Sequence, residues 1–146
     1  MLKFMKMLNN ISRSQAIYRQ SKVTAGDLQS CHYAFALAIC REEGRSQEEI
    51  ARELCVNKST VARNLNYLEE KGYITRVPLK NDKRHFSVYP TEKMLSVLPE
   101  IKKASLEWIE LLSEGIPKEE LEIFNSVLNR MQEKAREIIE KGEDAK

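Results

Sequence analysis

Ser59, Arg63 and Asn66 recur at steps of four and three residues, a spacing that stacks side chains on one face of an α-helix. Their chemistry is hydrogen-bond reading. Arginine forks onto guanine, asparagine pairs with adenine or a phosphate oxygen, and serine meets either. Ala62 beside them offers a methyl contact to thymine. Ser59 and Thr60, with Lys58 before them, open the segment, where free backbone N–H groups can hold a phosphate oxygen. Tyr67 flanks the same face. A solvated face carrying two extra polar residues is the competing account, and the helix alone does not exclude it.

A second basic group follows. Pro78 leads into Lys80, Asn81, Asp82, Lys83 and Arg84, a polar run that reads as a hairpin tip. Such a tip can reach a narrow minor groove, whose potential attracts arginine. Asp82 is spaced to hold the Arg84 guanidinium through a paired hydrogen bond. The alternative is an ordinary basic turn. Charge distribution suggests contact with a polyanion, with chance fluctuation as the competing account: residues 57–90 hold seven Lys or Arg and three acids, whereas residues 91–146 hold nine basic and thirteen acidic residues.

The elements that must position these groups are legible. Ser46 and Glu49 form a capping box ahead of a short helix with Ile50, Ala51 and Leu54 inward. Val56 and Asn57 break it, and Asn57 caps a helix over 58–71 anchored by Val61, Leu65 and Leu68. Gly72 supplies the left-handed stop. Beyond it the period changes to two, giving strands over 73–77 and 85–89. Helix, turn, helix and hairpin together make a winged helix-turn-helix.

The flanks are helical. Phe4, Leu8, Ile11 and Tyr18 form a stripe in the first twenty residues, more apolar surface than a lone terminal helix should show. Asp27 is placed to cap a second helix through Ile39, ended by Gly44. Leu98, Ile101, Ser105, Trp108 and Leu112 define a later helix that Pro99 should kink. Leu121, Phe124, Leu128, Met131, Ala135 and Ile138 step by three and four as a heptad seam, a surface for partner helices within the chain or between chains. The expected class is mainly α with a small β-hairpin wing, divided into residues 1–22, 23–91 and 92–146.

Other chemistries find little support. The 146 residues, 42% hydrophobic and 32% charged, suit a folded, charge-rich helical chain. No phosphate loop, serine elbow or paired histidine and carboxylate is present, so no enzyme is expected. His32 and His85 are the only histidines, and Cys31-His32 are adjacent, which suits no zinc site. No metal or other cofactor is implied. Cys31, Cys40 and Cys55 are odd in number without a C-x-x-C pair, as in reduced proteins; Cys31 and Cys40 are expected to be buried and inert, Cys55 exposed. The N-terminus lacks a signal-peptide pattern and no run approaches a membrane span, so a cytoplasmic location is expected.

Lys58-Ser59-Thr60-Val61, Leu68-Glu69-Glu70-Lys71-Gly72, Asn81-Asp82-Lys83-Arg84 and Thr91-Glu92-Lys93 occur in the order and spacing of one known family. The chain closely resembles MarR-type winged helix-turn-helix transcriptional regulators over nearly its whole length, with Leu98-Pro99-Glu100 matching the long fifth helix. The resemblance implies a homodimer with interleaved terminal helices, to which Phe4, Leu8, Ile11, Leu121, Phe124, Leu128, Met131 and Ile138 would contribute. It implies that Arg84 is the wing arginine and that Ser59, Thr60 and Arg63 touch a DNA groove. A twofold pair should read a pseudo-palindromic duplex. Such proteins usually repress and are released by a ligand or an oxidant; the cysteine that senses oxidants in some relatives' first helix is missing here. Many respond to small aromatic acids at the junction of dimer helices and winged domain, where Arg13, Tyr18, His32 and Tyr33 are candidates, each weighed against a packing role. A winged helix serving only protein–protein contact is the alternative, disfavoured by the basic wing.

Overall fold

The computed structural model describes residues 2–80 and 82–143, excepting the side chains at positions 2, 82–84 and 143. In chain order the described residues form α1 (Leu2–Lys22), α2 (Ser30–Arg41), β1 (Arg45–Ser46), α3 (Gln47–Leu54), α4 (Lys58–Glu70), β2 (Ile74–Leu79), β3 (Asp82–Pro90), α5 (Glu92–Ser113) and α6 (Lys118–Glu143). They fall into two units, Met1–Trp108 and Ile109–Lys146.

In the first unit α2 is apolar nearly all round and therefore central, burying Tyr33, Phe35, Ala36, Ala38 and Ile39. Its cap is not Asp27, as the sequence suggests, but Gln29, whose backbone N–H donates to His32 Nδ1 at 3.0 Å. Asp27 is drawn away by a stronger demand, three donors from other elements. The α3 cap is as expected: Glu49 N–H donates to Ser46 Oγ, and Ser46 N–H to Glu49 Oε2. α3 stops one residue earlier than Val56, because Cys55 turns left-handed at φ 52°. Its N–H closes onto the carbonyls of Ala51 and Arg52. At the end of α4, Gly72 has φ 75°. Tyr73 N–H then reaches Leu68 O at 2.8 Å and Gly72 N–H reaches Glu69 O at 2.9 Å, the paired closure that a left-handed glycine permits.

Three antiparallel strands, ordered β1-β3-β2, form the sheet. Arg45 lies opposite Val88 and Ser46 opposite Ser87, so a third strand completes what the sequence suggests as a two-stranded hairpin. Two residues are too few to show alternation. β2 and β3 also extend beyond the expected strands. They pair from Ile74–Pro90 to Pro78–Phe86, and a bulge then brings Leu79 opposite Asp82. The connection is accordingly tighter than an 80–84 tip.

Leu28, Tyr33, Ile39, Ile50, Val61, Leu65, Leu68, Tyr73, Ile74, Val88, Met94 and Ile101 are fully buried and join helices to sheet. Each aliphatic burial among them stabilises by about 1.5–3 kcal/mol. Truncating Leu65 to alanine would cost about 2–5 kcal/mol because a cavity remains. Pro99 lies inside α5 and removes one N–H from its ladder.

In the second unit α6 runs 26 residues with no buried side chain among those described. Ile123, Phe124, Val127, Met131, Ile138 and Ile139 are exposed, while Leu121 and Leu128 are half-buried. That is more apolar surface than a solitary helix presents to water.

Candidate nucleic-acid interface

α4 begins where Asn57 Oδ1 accepts the Thr60 N–H and the Ser59 hydroxyl, each at 2.8 Å. Val61, Leu65 and Leu68 face the core and fix the helix's rotation. That rotation leaves Lys58, Ser59, Arg63, Asn66 and Glu70 exposed on the other side, with Thr60 and Ala62 half-buried at its margins. Among the described residues Lys58, Arg63 and Asn66 have no hydrogen-bond or ion-pair partner. The contrast within the same unit is informative. Arg41 and Arg45 both hold Glu53, and Arg76 holds Glu69.

Tyr67 is differently occupied. Its hydroxyl donates to the Asp27 carbonyl at 2.6 Å, and its ring stacks on His32 with centroids 4.5 Å apart and planes 12° apart. The sequence marks Asp27 only as a cap, yet it ties its loop to α4, to the turn before β2 and to α5. Its carboxylate accepts from the buried Tyr73 hydroxyl and from Lys93 Nζ, and Lys93 also donates to Lys71 O at the end of α4. The Lys93 hydrogen bond, then that from Tyr73, holds the Asp27 carboxyl below its usual range. Burial, then the Asp27 carboxylate, pushes the Tyr73 phenol up. A short acidic loop residue carries no sequence signal of such long-range partners.

The wing is β2 and β3. Lys80 is exposed, as are Val77 and Leu79. Asn81 lies outside the described residues, and so do the side chains of Asp82, Lys83 and Arg84 with the ion pair expected between the first and last. At the wing's base Arg76 Nε donates to Glu69 Oε2 at 2.9 Å, Arg76 Nη2 donates to the same oxygen at 2.5 Å, and the guanidinium lies 5.8 Å from the Phe86 ring centroid. Those hydrogen bonds hold the Glu69 carboxyl below its usual range.

The four ligand candidates occupy separate settings. Arg13 is exposed. Tyr18 donates to Glu107 at 3.2 Å and packs beside Trp108. His32 is 5% exposed, and burial lowers its pKa. Tyr33 is fully buried, its hydroxyl without a partner among the described residues and its ring under the Arg19 guanidinium. A cleft of about 470 Å³ opens instead beside Arg19, Arg41, Lys102, Leu37, Ala38 and Leu54, and none of the four lines it. Its three cations share the cleft with Glu53 and with apolar residues, on helices whose sequence shows only amphipathicity.

Cys31 is exposed rather than buried, Cys40 is half-buried with its thiol pushed up by burial, and Cys55 is exposed as expected. Among the described residues no group of three or more His, Cys, Asp or Glu could hold a metal ion. No described helix is long and apolar enough to cross a membrane.

Known proteins share this arrangement. Residues 27–85 match the MarR family. The chain is 29% identical over 119 residues to the uncharacterized HTH-type transcriptional regulator YybA of Bacillus subtilis strain 168, covering 80% of this chain and 79% of that one. A MarR transcriptional regulator from Methanosarcina mazei Go1 superposes with a TM-score of 0.82 at 31% identity, over 94% of this chain and 99% of that one. A MarR family regulator from Listeria monocytogenes, solved with 26mer DNA, has the same fold at 21% identity with a TM-score of 0.86, over 94% of each chain. From its buried α4 seam to its two-stranded wing, and at these identities along nearly its whole length, the chain belongs to the MarR family of transcriptional regulators.

Proposed function

We propose that two copies of this chain form a homodimeric repressor that binds a pseudo-palindromic duplex. α4 enters the major groove and the wing reaches the adjacent minor groove. The observation that carries this reading is the exposed side of α4, where Lys58, Arg63 and Asn66 have no partner among the described residues. An arginine held out with its five donors unused is suited to guanine O6 and N7, and Asn66 to adenine. Ser59, Thr60 and the first N–H groups of α4 suit a phosphate, and Ala62 a thymine methyl. On the wing, Lys80, Asn81, Lys83 and Arg84 supply the minor-groove and backbone contacts, with Asp82 steadying Arg84. The Listeria relative solved with DNA supports the same use.

Dimerisation follows from apolar surface. Phe4 and Ile11 on α1 are exposed and Leu8 is half-buried, and α6 carries its own exposed row. Covering both with a second copy removes them from water and fixes the separation of the two α4 helices. Release by a small aromatic acid is the accompanying proposal. The cleft offers Arg19 and Lys102 for a carboxylate and Leu37 and Leu54 for a ring, its Arg41 being held by Glu53, which also lines it, while Arg13, Tyr18, His32 and Tyr33 border it in sequence rather than lining it.

Selection from a random duplex pool tests the reading. Enrichment of a pseudo-palindrome, with binding lost on adding benzoate-class acids, is expected. Recovery of no sequence above background would overturn it.

A further inference from the structure

We infer that Glu69 and Arg76 are positioning residues for the wing, clamping β2 to α4 so that hairpin and reading helix meet one duplex together. The inference rests on the proposed DNA binding but concerns two side chains that need not touch DNA.

Three observations support it. First, Arg76 continues the core-facing side of β2 after buried Ile74, and beyond it Val77, Pro78 and Leu79 are exposed. The clamp therefore acts where the hairpin leaves its support. Second, the geometry is directional: Nε and Nη2 of Arg76 both converge on Glu69 Oε2, and the guanidinium also lies near Phe86 of β3. One side chain thus links α4 with both wing strands. Third, Glu69 sits on α4 one residue before exposed Glu70 and three after Asn66, so the wing is referenced to the helix turn that bears the reading face.

The pair is partly exposed, at 21% for Arg76 and 38% for Glu69, and such pairs contribute little to global stability. A loss of DNA affinity on breaking it is therefore positional. Charge gives the inference a sign. Glu69→Gln deletes one negative charge near a polyanion, and electrostatics alone would tighten binding. The clamp requires the opposite.

The probe is the duplex that the wild-type chain enriches from a random pool, with a scrambled duplex of equal length as reference. Glu69→Gln should weaken binding to the enriched duplex by about fivefold, and the loss caused by Arg84→Ala should shrink in the Glu69→Gln background. The exchanged pair Glu69→Arg with Arg76→Glu, which restores opposite charges, should recover part of the affinity. Hydrogen exchange on the DNA-free chain should show faster exchange over residues 76–88 in Glu69→Gln, with α2 and α4 protected as in wild type. Unchanged or tighter binding, strict additivity with Arg84→Ala, or unchanged exchange over the hairpin would each overturn the clamp. If the wild-type chain enriches no duplex, the DNA reading fails by itself. The exchange measurement then decides whether Glu69 holds the hairpin.

Discussion

Lys93 Nζ lies 2.8 Å from Asp27 Oδ2 and 2.8 Å from the Lys71 carbonyl, so one ammonium joins the loop before α2 to the end of α4. Its ammonium also sits 4.1 Å from the Tyr73 ring centroid. The C-terminal end of α4 is thereby tied by hydrogen bonds to two neighbouring elements, while its N-terminal end is held by the Asn57 cap and the buried Val61.

Removing Asp27 should cost stability mainly through Tyr73. That hydroxyl is buried, and Asp27→Ala strands it without an acceptor. Such a group costs about 1–3 kcal/mol, measurable by urea unfolding. Asp27→Asn keeps an oxygen for Tyr73 and should cost less. Because the folded-state carboxyl is lowered, its contribution is complete above the unfolded value of about 3.9 and is lost as pH falls below it. Asp27→Asn should flatten part of that acid limb.

His32 predicts a different window. Nδ1 accepts the Gln29 N–H, the ring stacks on Tyr67, and burial holds the group neutral, against a weaker pull from the Asp27 charge. The unfolded chain takes a proton below about 6.5 and the folded chain resists it. Stability should therefore fall as pH drops from 7.5 to 5.5, before most carboxylates titrate. His32→Phe keeps a ring against Tyr67, and its melting temperature should be lower at pH 7.5 but nearly level across this range. An equal slope in both proteins would remove His32 as the cause.

Arg63→Ala should weaken binding to the preferred duplex by about 1–3 kcal/mol and relax base choice at one position. Titration against single-base variants checks this. Equal loss on scrambled DNA would assign Arg63 to the phosphates.

Arg84→Ala should weaken binding across sequences and reduce the slope of log K against log salt by about one. An unchanged affinity at moderate salt would take the wing off the DNA.

Phe124→Glu places a charge on the exposed α6 row. Sedimentation at micromolar concentration should show a wild-type dimer and a dissociated variant. A wild-type monomer would dispose of the twofold arrangement.

Much of this architecture is written locally. The Ser46–Glu49 box, the Asn57 cap and Gly72 are short-range devices, and Val61, Leu65 and Leu68 repeat on one face, so both helices of the turn were legible with their orientation. β1 was not, since two residues gain strand character only by pairing with Val88 and Ser87. Asp27 read as a cap because its true partners, Tyr73 and Lys93, are 46 and 66 residues away. Glu69 and Arg76 meet only because the chain reverses at Gly72, and nothing in their separate places on helix and strand marks the pairing. The exposed side of α4 is legible because it is set by the local Val61, Leu65 and Leu68 seam, and Lys58, Arg63 and Asn66 on it have no distant partner among the described residues.

The most direct test of the twofold groove reading is methylation interference on the enriched duplex. The account predicts two dyad-related clusters of major-groove guanine N7 contacts, with centres about 34 Å apart along the helix, and minor-groove protection outside them. A single cluster, or interference confined to the minor groove, would contradict it.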